Sequence, residues 1–440
     1  MCRLYREFTL QVTDIRAFRA VIFNQEKIKN LTDVVCPPYD VISPESQQRY
    51  WDISPYNFIH ILLRKDIPGE DKYEESSKCF KEWQKEKILI QEERPAIYFY
   101  SQQYNFKGER KTRLGFISLL RLDDKQGYVF GHEHTRLQPK EDRFSLIKQV
   151  KANLSPIFVV CQDKTRIIER AYQKYVMGKS PFIDILDSEG VGHKVWRLDD
   201  PEVIEEIRAK MKQENIFIAD GHHRYEVACA YRDYIKQGLP AYTGEENFNY
   251  ILTYFSSAYS AGLKILPIHR LVKLPVAPDM EKLKSSLKGY FDIEEIKEKP
   301  RFFFLMEKAG KAEHVIGMYK DSRYWLLRLK AVKVLDSMIS DKPREYRTLD
   351  VSILNYLILK NIFGLSQADN GDIEFIHNAD ELIELTDKEQ SCIAFFLNPV
   401  KMQQIIDVAL KGEKMPPKST YFYPKVLSGL VIHKFNEGIS

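Results

Sequence analysis

The sequence predicts an α+β protein built in more than one part, on three observations. Short apolar runs rich in aromatic residues are joined by turns such as Lys107-Gly108, which asks for antiparallel hairpins. Stretches such as 70–90 and 202–214 repeat apolar residues at helical spacing among lysines and glutamates. Pro275 and Pro278 then separate a long first part from a second part with strands and helices of its own. The 440 residues suffice for two or three domains, each with a substantial core. The expected division is an N-terminal extension over 1–94 packed on the core, a core over 95–273, and a separate C-terminal α+β domain over 274–440.

In order along the chain, Tyr73, Phe80 and Trp83 mark an amphipathic helix. Residues 96–104 and 114–119 form a long hairpin about Lys107-Gly108-Glu109. A charged loop is expected over 131–143, then a helix over 144–151 and a buried strand over 156–160. A helix over 202–214 leads to Ile216-Phe217-Ile218-Ala219, a strand that enters a glycine turn and a further helix. Beyond the prolines come a helix over 279–289 and a hairpin of 302–305 with 315–319 about Gly310. A third strand over 325–329, an apolar helix over 351–363, a strand over 392–397 and a helix over 400–411 stopped by Gly412 complete the reading.

Composition excludes several function classes. The chain is 44% hydrophobic and 29% charged, with a net charge of only +4, and acids and bases alternate along it. No long basic run is present to grip a nucleic-acid backbone. The six cysteines lack CxxC spacing, which argues against a structural zinc site or a disulfide scaffold and for a reducing compartment. Met1-Cys2-Arg3 is not followed by an apolar run, and no apolar segment reaches bilayer-spanning length. A cytoplasmic protein without nucleic-acid or membrane partners is expected.

The densest chemistry is Asp220-Gly221-His222-His223-Arg224-Tyr225-Glu226, where the strand turns into the helix. Such a junction aims free backbone N–H groups and the positive end of the helix dipole at one point. Three readings apply. The histidines cap locally while Arg224 pairs with Glu226 or Asp220; or the cluster binds a metal; or it binds a phosphate. Adjacent histidines lack the spacing that puts two ligands on one helix face, which disfavours the metal. The planar donor fork of Arg224 suits phosphate oxygens.

A second cluster is Gly131-His132-Glu133-His134-Thr135-Arg136, then Pro139-Lys140-Glu141-Asp142-Arg143 and Asn153-Leu154-Ser155-Pro156. A solvated loop is the plain reading. Phosphoryl transfer needs cations, a carboxylate and a base to orient the attacking hydroxyl, and this stretch offers all three. Glu133 is the candidate base and Asp220 the competing one, with Lys140 and Arg143 as phosphate ligands. Pro37-Pro38-Tyr39-Asp40 reads as a rigid segment entering a turn, with Tyr39 or Asp40 able to reach a site. His269-Arg270 ends an apolar run, where a core histidine is the plain reading. Lys418-Ser419-Thr420 precedes an aromatic strand, either as part of an anion pocket or as a polar strand start.

The Asp220 turn resembles the signature of the ParB/sulfiredoxin superfamily. Asp220, Gly221, His222 and Arg224 match its free serine kinases, with His223 in place of a threonine. His222 stands where sulfiredoxin carries its catalytic cysteine, which argues against sulfinic acid repair. More of the chain, including 36–43, 132–143, 152–158, 266–270 and 417–425, is similar to a widespread bacterial family long of unknown function. Some of its members are pyrophosphate-dependent free L-serine kinases. The resemblance implies a ParB/sulfiredoxin-like core and phosphoryl transfer from pyrophosphate to L-serine, with Mg²⁺ on the donor and on Asp220. It puts His223 and Arg224 on the phosphates; from the residues themselves, Glu133, Asp220 and His222 are the catalytic candidates, with Gly221, Lys140 and Arg143 also on the phosphates. Thr135, Asn153, Ser155, Tyr39, Asp40, His269, Arg270 and Lys418 are the expected substrate contacts. A nucleotide donor, the reverse phosphatase reaction and a nucleotide-binding regulator remain alternatives. The active site is expected where the Asp220 turn meets the Glu133 loop.

Overall fold

The computed structural model describes residues 12–123, 127–135, 137–365 and 371–435. It is an α+β fold that divides into two compact units. The first takes in the described chain up to Gly131, Thr135–Leu263 and the chain from Pro424 onward. The second holds His132–His134 and Lys264–Tyr423. The division falls at Leu263/Lys264 rather than near Leu274, the described chain up to Arg94 belongs to the first unit, and the described last segment returns to it.

The first unit is built on a nine-stranded sheet. Its strands in chain order are β1 (Ile15–Arg16), β2 (Ile97–Phe106), β3 (Glu109–Arg121), β4 (Val129–Phe130), β5 (Ile157–Cys161), β6 (Ile183–Leu186), β7 (Gly192–Leu198), β8 (Ile216–Asp220) and β9 (Tyr250–Ser257). The spatial order is β4-β8-β5-β9-β3-β2-β7-β6, with β1 also paired to β3. The β4/β8 and β5/β9 pairs are parallel and the others antiparallel. Lys107 and Gly108 both take positive φ, 51° and 79°, the backbone of a two-residue hairpin turn whose twist matches the strands it joins.

One face of this sheet contributes Phe99, Phe116, Ile157, Val159 and Phe255 to a core closed by Ile167, Ile168, Ile207 and Met211. These four lie on helices α3 (Ile167–Tyr175) and α4 (Pro201–Met211), which follow α1 (Lys72–Lys85) and α2 (Leu137–Val150) and precede α5 (His222–Gln237). The alternate residues bring together Tyr100, Phe158 and Tyr254, with Tyr254 5.3 Å from each of the other two rings. The fully buried Arg113 guanidinium sits 4.5 Å from the centre of the Phe158 ring.

Residues expected as a charged loop through Arg143 are helical from Leu137 onward. Pro139 is tolerated because the first turn of a helix leaves its N–H groups unpaired anyway. Arg143, Leu146, Ile147 and Val150 form the buried stripe of α2. Ile147 meets Val227 and Tyr231 of α5 in a small core with Phe248 and Phe435. Arg136 lies outside the described residues.

The second unit has a six-stranded sheet of β10 (His269–Lys273), β11 (Phe291–Ile296), β12 (Val315–Lys320), β13 (Arg323–Leu329), β14 (Ile373–Ile376) and β15 (Cys392–Phe396). Its order is β11-β13-β12-β15-β10-β14, and every pair is antiparallel. The expected strand at 302–305 is instead part of α7 (Lys299–Ala309), which follows α6 (Met280–Leu287). Phe302, Met306 and Ala309 are its buried face, a helical period hidden inside an aromatic run. Residues Leu354–Lys360 of the expected apolar helix are wound as a π-helix.

Candidate functional site

Strand β8 runs almost fully buried from Ile216 to Ala219 and ends on Asp220. Gly221 follows with φ +93°, a conformation that L side chains adopt only with strain, and helix α5 begins at His222. A Cβ on Gly221 would lie 3.0 Å from the guanidinium of Arg224, so the glycine also makes room for that side chain.

Three charged groups converge at this turn. Arg224 Nη2 donates to Asp220 Oδ2 at 2.6 Å, and Lys425 Nζ donates to Asp220 Oδ1. Arg224 Nη1 donates to the carbonyl of Pro156. The side chains of Asp220, Arg224 and Lys425 retain 15%, 12% and 13% exposure, so the cluster is shielded but reachable. Burial alone would raise the Asp220 carboxyl; Lys425 and Arg224 outweigh it and hold the group well below the usual carboxylate range.

Lys425 reaches the turn because of what holds its backbone. Gln102 Nε2 donates to the Lys425 carbonyl at 2.8 Å, and Arg113 Nη2 to the Pro424 carbonyl at 2.5 Å. Arg113 also donates through Nε to Gln102 Oε1 at 3.1 Å. A buried cation is costly unless hydrogen-bonded, and these acceptors answer that cost while anchoring the returning chain.

Beside the turn is a small cavity of about 60 Å³. Tyr39, Arg143, Asn153, Ser155 and Arg224 line it together with Leu146 and Val227. The Arg143 guanidinium lies 4.4 Å from the centre of the Tyr39 ring and donates to the Leu62 carbonyl at 2.7 Å and to Asp142 Oδ2 at 2.7 Å. Burial pushes the Tyr39 phenol up to about 12, so it stays protonated at neutral pH and can donate. Asn153 Oδ1 accepts from Leu252 N at 3.1 Å, and Ser155 shares a 2.6 Å hydrogen bond with Ser428.

Five residues expected from the sequence thus line one cavity, and one of them, Arg224, also donates to Asp220. Others fall elsewhere. Lys140, expected on phosphate, pairs with Glu226 Oε2 at 3.1 Å, which also accepts from Thr135 Oγ1 at 2.5 Å. Asp40 is exposed. His222 is buried and His223 half-buried on the first turn of α5. Glu133 lies in the second unit, half-buried between His132 and His134.

His269, Arg270 and Lys418 also belong to the second unit. His269 Nδ1 accepts from Leu397 N at 3.2 Å, and burial lowers the ring to about 3, which makes it a neutral core histidine. Arg270 is fully buried, with Nη1 on the Ile268 carbonyl at 2.7 Å and Nη2 on the Lys418 carbonyl at 3.0 Å. Its terminal donors are spent on main chain, which corrects the expectation of a substrate contact. Lys418 is exposed with φ +54°, and its carbonyl serves Arg270.

Asp220 is a poor fit for Mg²⁺, since a cation already sits on each of its oxygens. Among the described residues, no group of three or more His, Cys, Asp or Glu is placed to hold a metal ion. None of the described helices is long and apolar enough to cross a membrane.

A family model described as a protein of unknown function, DUF1015, matches residues 15–352. The chain belongs to the DUF1015 family. The matched stretch holds the Asp220 turn and Glu133 but stops short of Lys425, which the family match therefore does not single out. No curated protein matches the chain in sequence. Among solved structures, it is similar to a conserved hypothetical protein from Pyrococcus furiosus at 11% identity and a TM-score of 0.32, over 71% of this chain and 92% of that one. It is similar to a free serine kinase in complex with ADP at 12% and 0.33, over 71% and 91%. It is also similar to SbnI with a C-terminal truncation from Staphylococcus aureus at 14% and 0.35, over 72% and 86%. These likenesses are too distant to assign an activity to this DUF1015 protein.

Sequence reasoning missed Lys425. It sits far from the turn in sequence, and although 417–425 is among the stretches similar to the bacterial family, nothing in that run assigned its lysine a role.

Proposed function

We propose that this protein is a phosphotransferase that moves a phosphoryl group from pyrophosphate to the hydroxyl of free L-serine, forming O-phospho-L-serine and phosphate. The supporting observation is that Arg224, at the start of helix α5, carries charge both to the Asp220 turn and to a cavity shared with Arg143, Tyr39, Asn153 and Ser155. Arginine forks and a helix N-terminus together favour a compact polyanion. Chemically, the serine oxygen forms the new P–O bond, the bridging P–O bond of pyrophosphate breaks, and the serine proton goes to a base.

Asp220 suits a proton acceptor poorly while two cations hold it far below neutrality. Glu133 is kept as the proposed base on sequence grounds, and Glu133→Gln tests it separately. Mg²⁺ is proposed to travel on the donor's own oxygens rather than on Asp220, supplying charge neutralisation there. Tyr39, Asn153 and Ser155 would orient the acceptor by hydrogen bonds.

Incubation with pyrophosphate, Mg²⁺ and L-serine should yield phosphoserine by ³¹P NMR. Arg224→Ala should lower turnover by about 10²–10³ while leaving the fold intact by circular dichroism. Absence of any product from pyrophosphate, ATP or ADP across a panel of amino acids and polyols would overturn the kinase reading. A nucleotide donor is the second reading, favoured by the apolar Leu62, Leu146, Ile147, Leu154, Val227 and Ile251 beside the arginines. Parallel assays with ADP and ATP separate the two.

A further inference from the structure

The two cations at the turn point at one carboxylate, and nothing in the sequence motif demands that. Lys425 comes from the returning C-terminal segment, and Arg224 from the first turn of α5. Each binds a different oxygen of Asp220, in a pocket shielded to 15% exposure or less. A carboxylate with a cation on each oxygen, at the N-terminus of a sixteen-residue helix, is arranged as an oxyanion ligand would be. From this we infer that Asp220 is a built-in placeholder for the ligand anion, and that Lys425 is a ligand of that anion when the carboxylate gives way. The inference rests on the phosphate-binding part of the proposed function, not on serine as acceptor.

Two structural features support it. The Lys425 main chain is held independently of its ammonium group, through the Gln102 and Arg113 hydrogen bonds, so the side chain can change partner without the segment moving. Arg224 has a second anchor on the Pro156 carbonyl that would keep it in place when Asp220 leaves. A side-chain carboxylate and a phosphate compete for the same donors because both offer anionic oxygens to charged N–H groups.

The placeholder predicts effects of opposite sign at two positions in direct contact. Binding of inorganic pyrophosphate and of orthophosphate is measured by titration calorimetry on the full chain without Mg²⁺. Asp220→Asn removes the competing charge and should tighten binding, by about tenfold or more. Lys425→Met should weaken it by about tenfold to a hundredfold, and Lys425→Arg should restore most of the loss. Thermal melts of each variant separate folding from binding: a merely structural salt bridge would lower stability in both variants and move anion affinity in neither. The inference is overturned if Asp220→Asn weakens binding, if Lys425→Met leaves it unchanged, or if neither the wild-type chain nor Asp220→Asn binds either anion. Anion binding with the predicted signs but no phosphoserine would sink the serine kinase assignment and leave the placeholder standing.

Discussion

His433 shows how burying a titratable ring ties the stability of the first unit to pH. Its ring is nearly inaccessible, packed edge-on to Phe18 and Phe435 at 5.7 and 5.4 Å, with Nε2 on the Asn247 carbonyl at 3.2 Å. Burial lowers it to about 4 from an ordinary value of 6.5. The unfolded chain therefore takes up a proton first as the pH falls, and the neutral ring stabilises the fold fully above pH 6.5. That contribution, roughly 3 kcal/mol, is lost progressively as the pH drops toward 4. Denaturant melts at stepped pH should show this loss in the wild type and a flatter profile in His433→Gln, whose amide can still donate to Asn247. Equal slopes in the two proteins would remove His433 as the cause. At the same scale, Arg113 and Arg270 make a common point: both are fully buried, and both spend donors on carbonyls of distant chain. An arginine in the sequence advertises charge; its partners decide whether it serves a ligand or the backbone.

Among the elements, the β8–α5 junction was legible from the order of residue types. An apolar run, a glycine and a polar helix start leave few other backbone paths. Gly221→Ala tests that junction. The positive φ costs about 1–2 kcal/mol for any residue with a Cβ, and the new methyl group meets Arg224 at 3.0 Å. The variant should melt earlier and lose anion affinity together; unchanged affinity would show that Arg224 can shift without consequence. Helices α2 and α7 were harder to read. Lys140 to Arg143 look like a solvated loop until Leu146, Ile147 and Val150 are known to pack, and Phe302 to Leu305 look like a strand until the face bearing Met306 and Ala309 is known to be buried. In both, burial against another element overrides local preference.

For the molecule as a whole, the first unit is discontinuous in sequence and is closed by its last segment. Ser428 pairs with Cys36, Ile432 with Val21, and His433 with Asn153, while Leu430, Val431 and Ile432 are buried. A chain ending at Tyr423 would lose these pairings and Lys425 at once. It should show a weakened or absent melting transition for the first unit, with early hydrogen exchange in β5 and β8. A truncated chain that keeps native protection there would show that the segment is dispensable. The family match ends at residue 352, yet the segment that completes the candidate site lies beyond it.

By itself, the sequence determined the α+β class, the strand–glycine–helix turn at Asp220 and the residue types gathered there, because these follow from local periodicity and backbone sterics. It also carried Tyr39, Arg143, Asn153 and Ser155 as candidates that come to line one cavity. The tertiary structure alone decided which charges meet. Lys425 joins Asp220, Arg270 turns to main-chain carbonyls, and Lys140 turns to Glu226. Those pairings depend on long-range packing, and electrostatic partnership acts over distances in space that separation along the chain does not reveal.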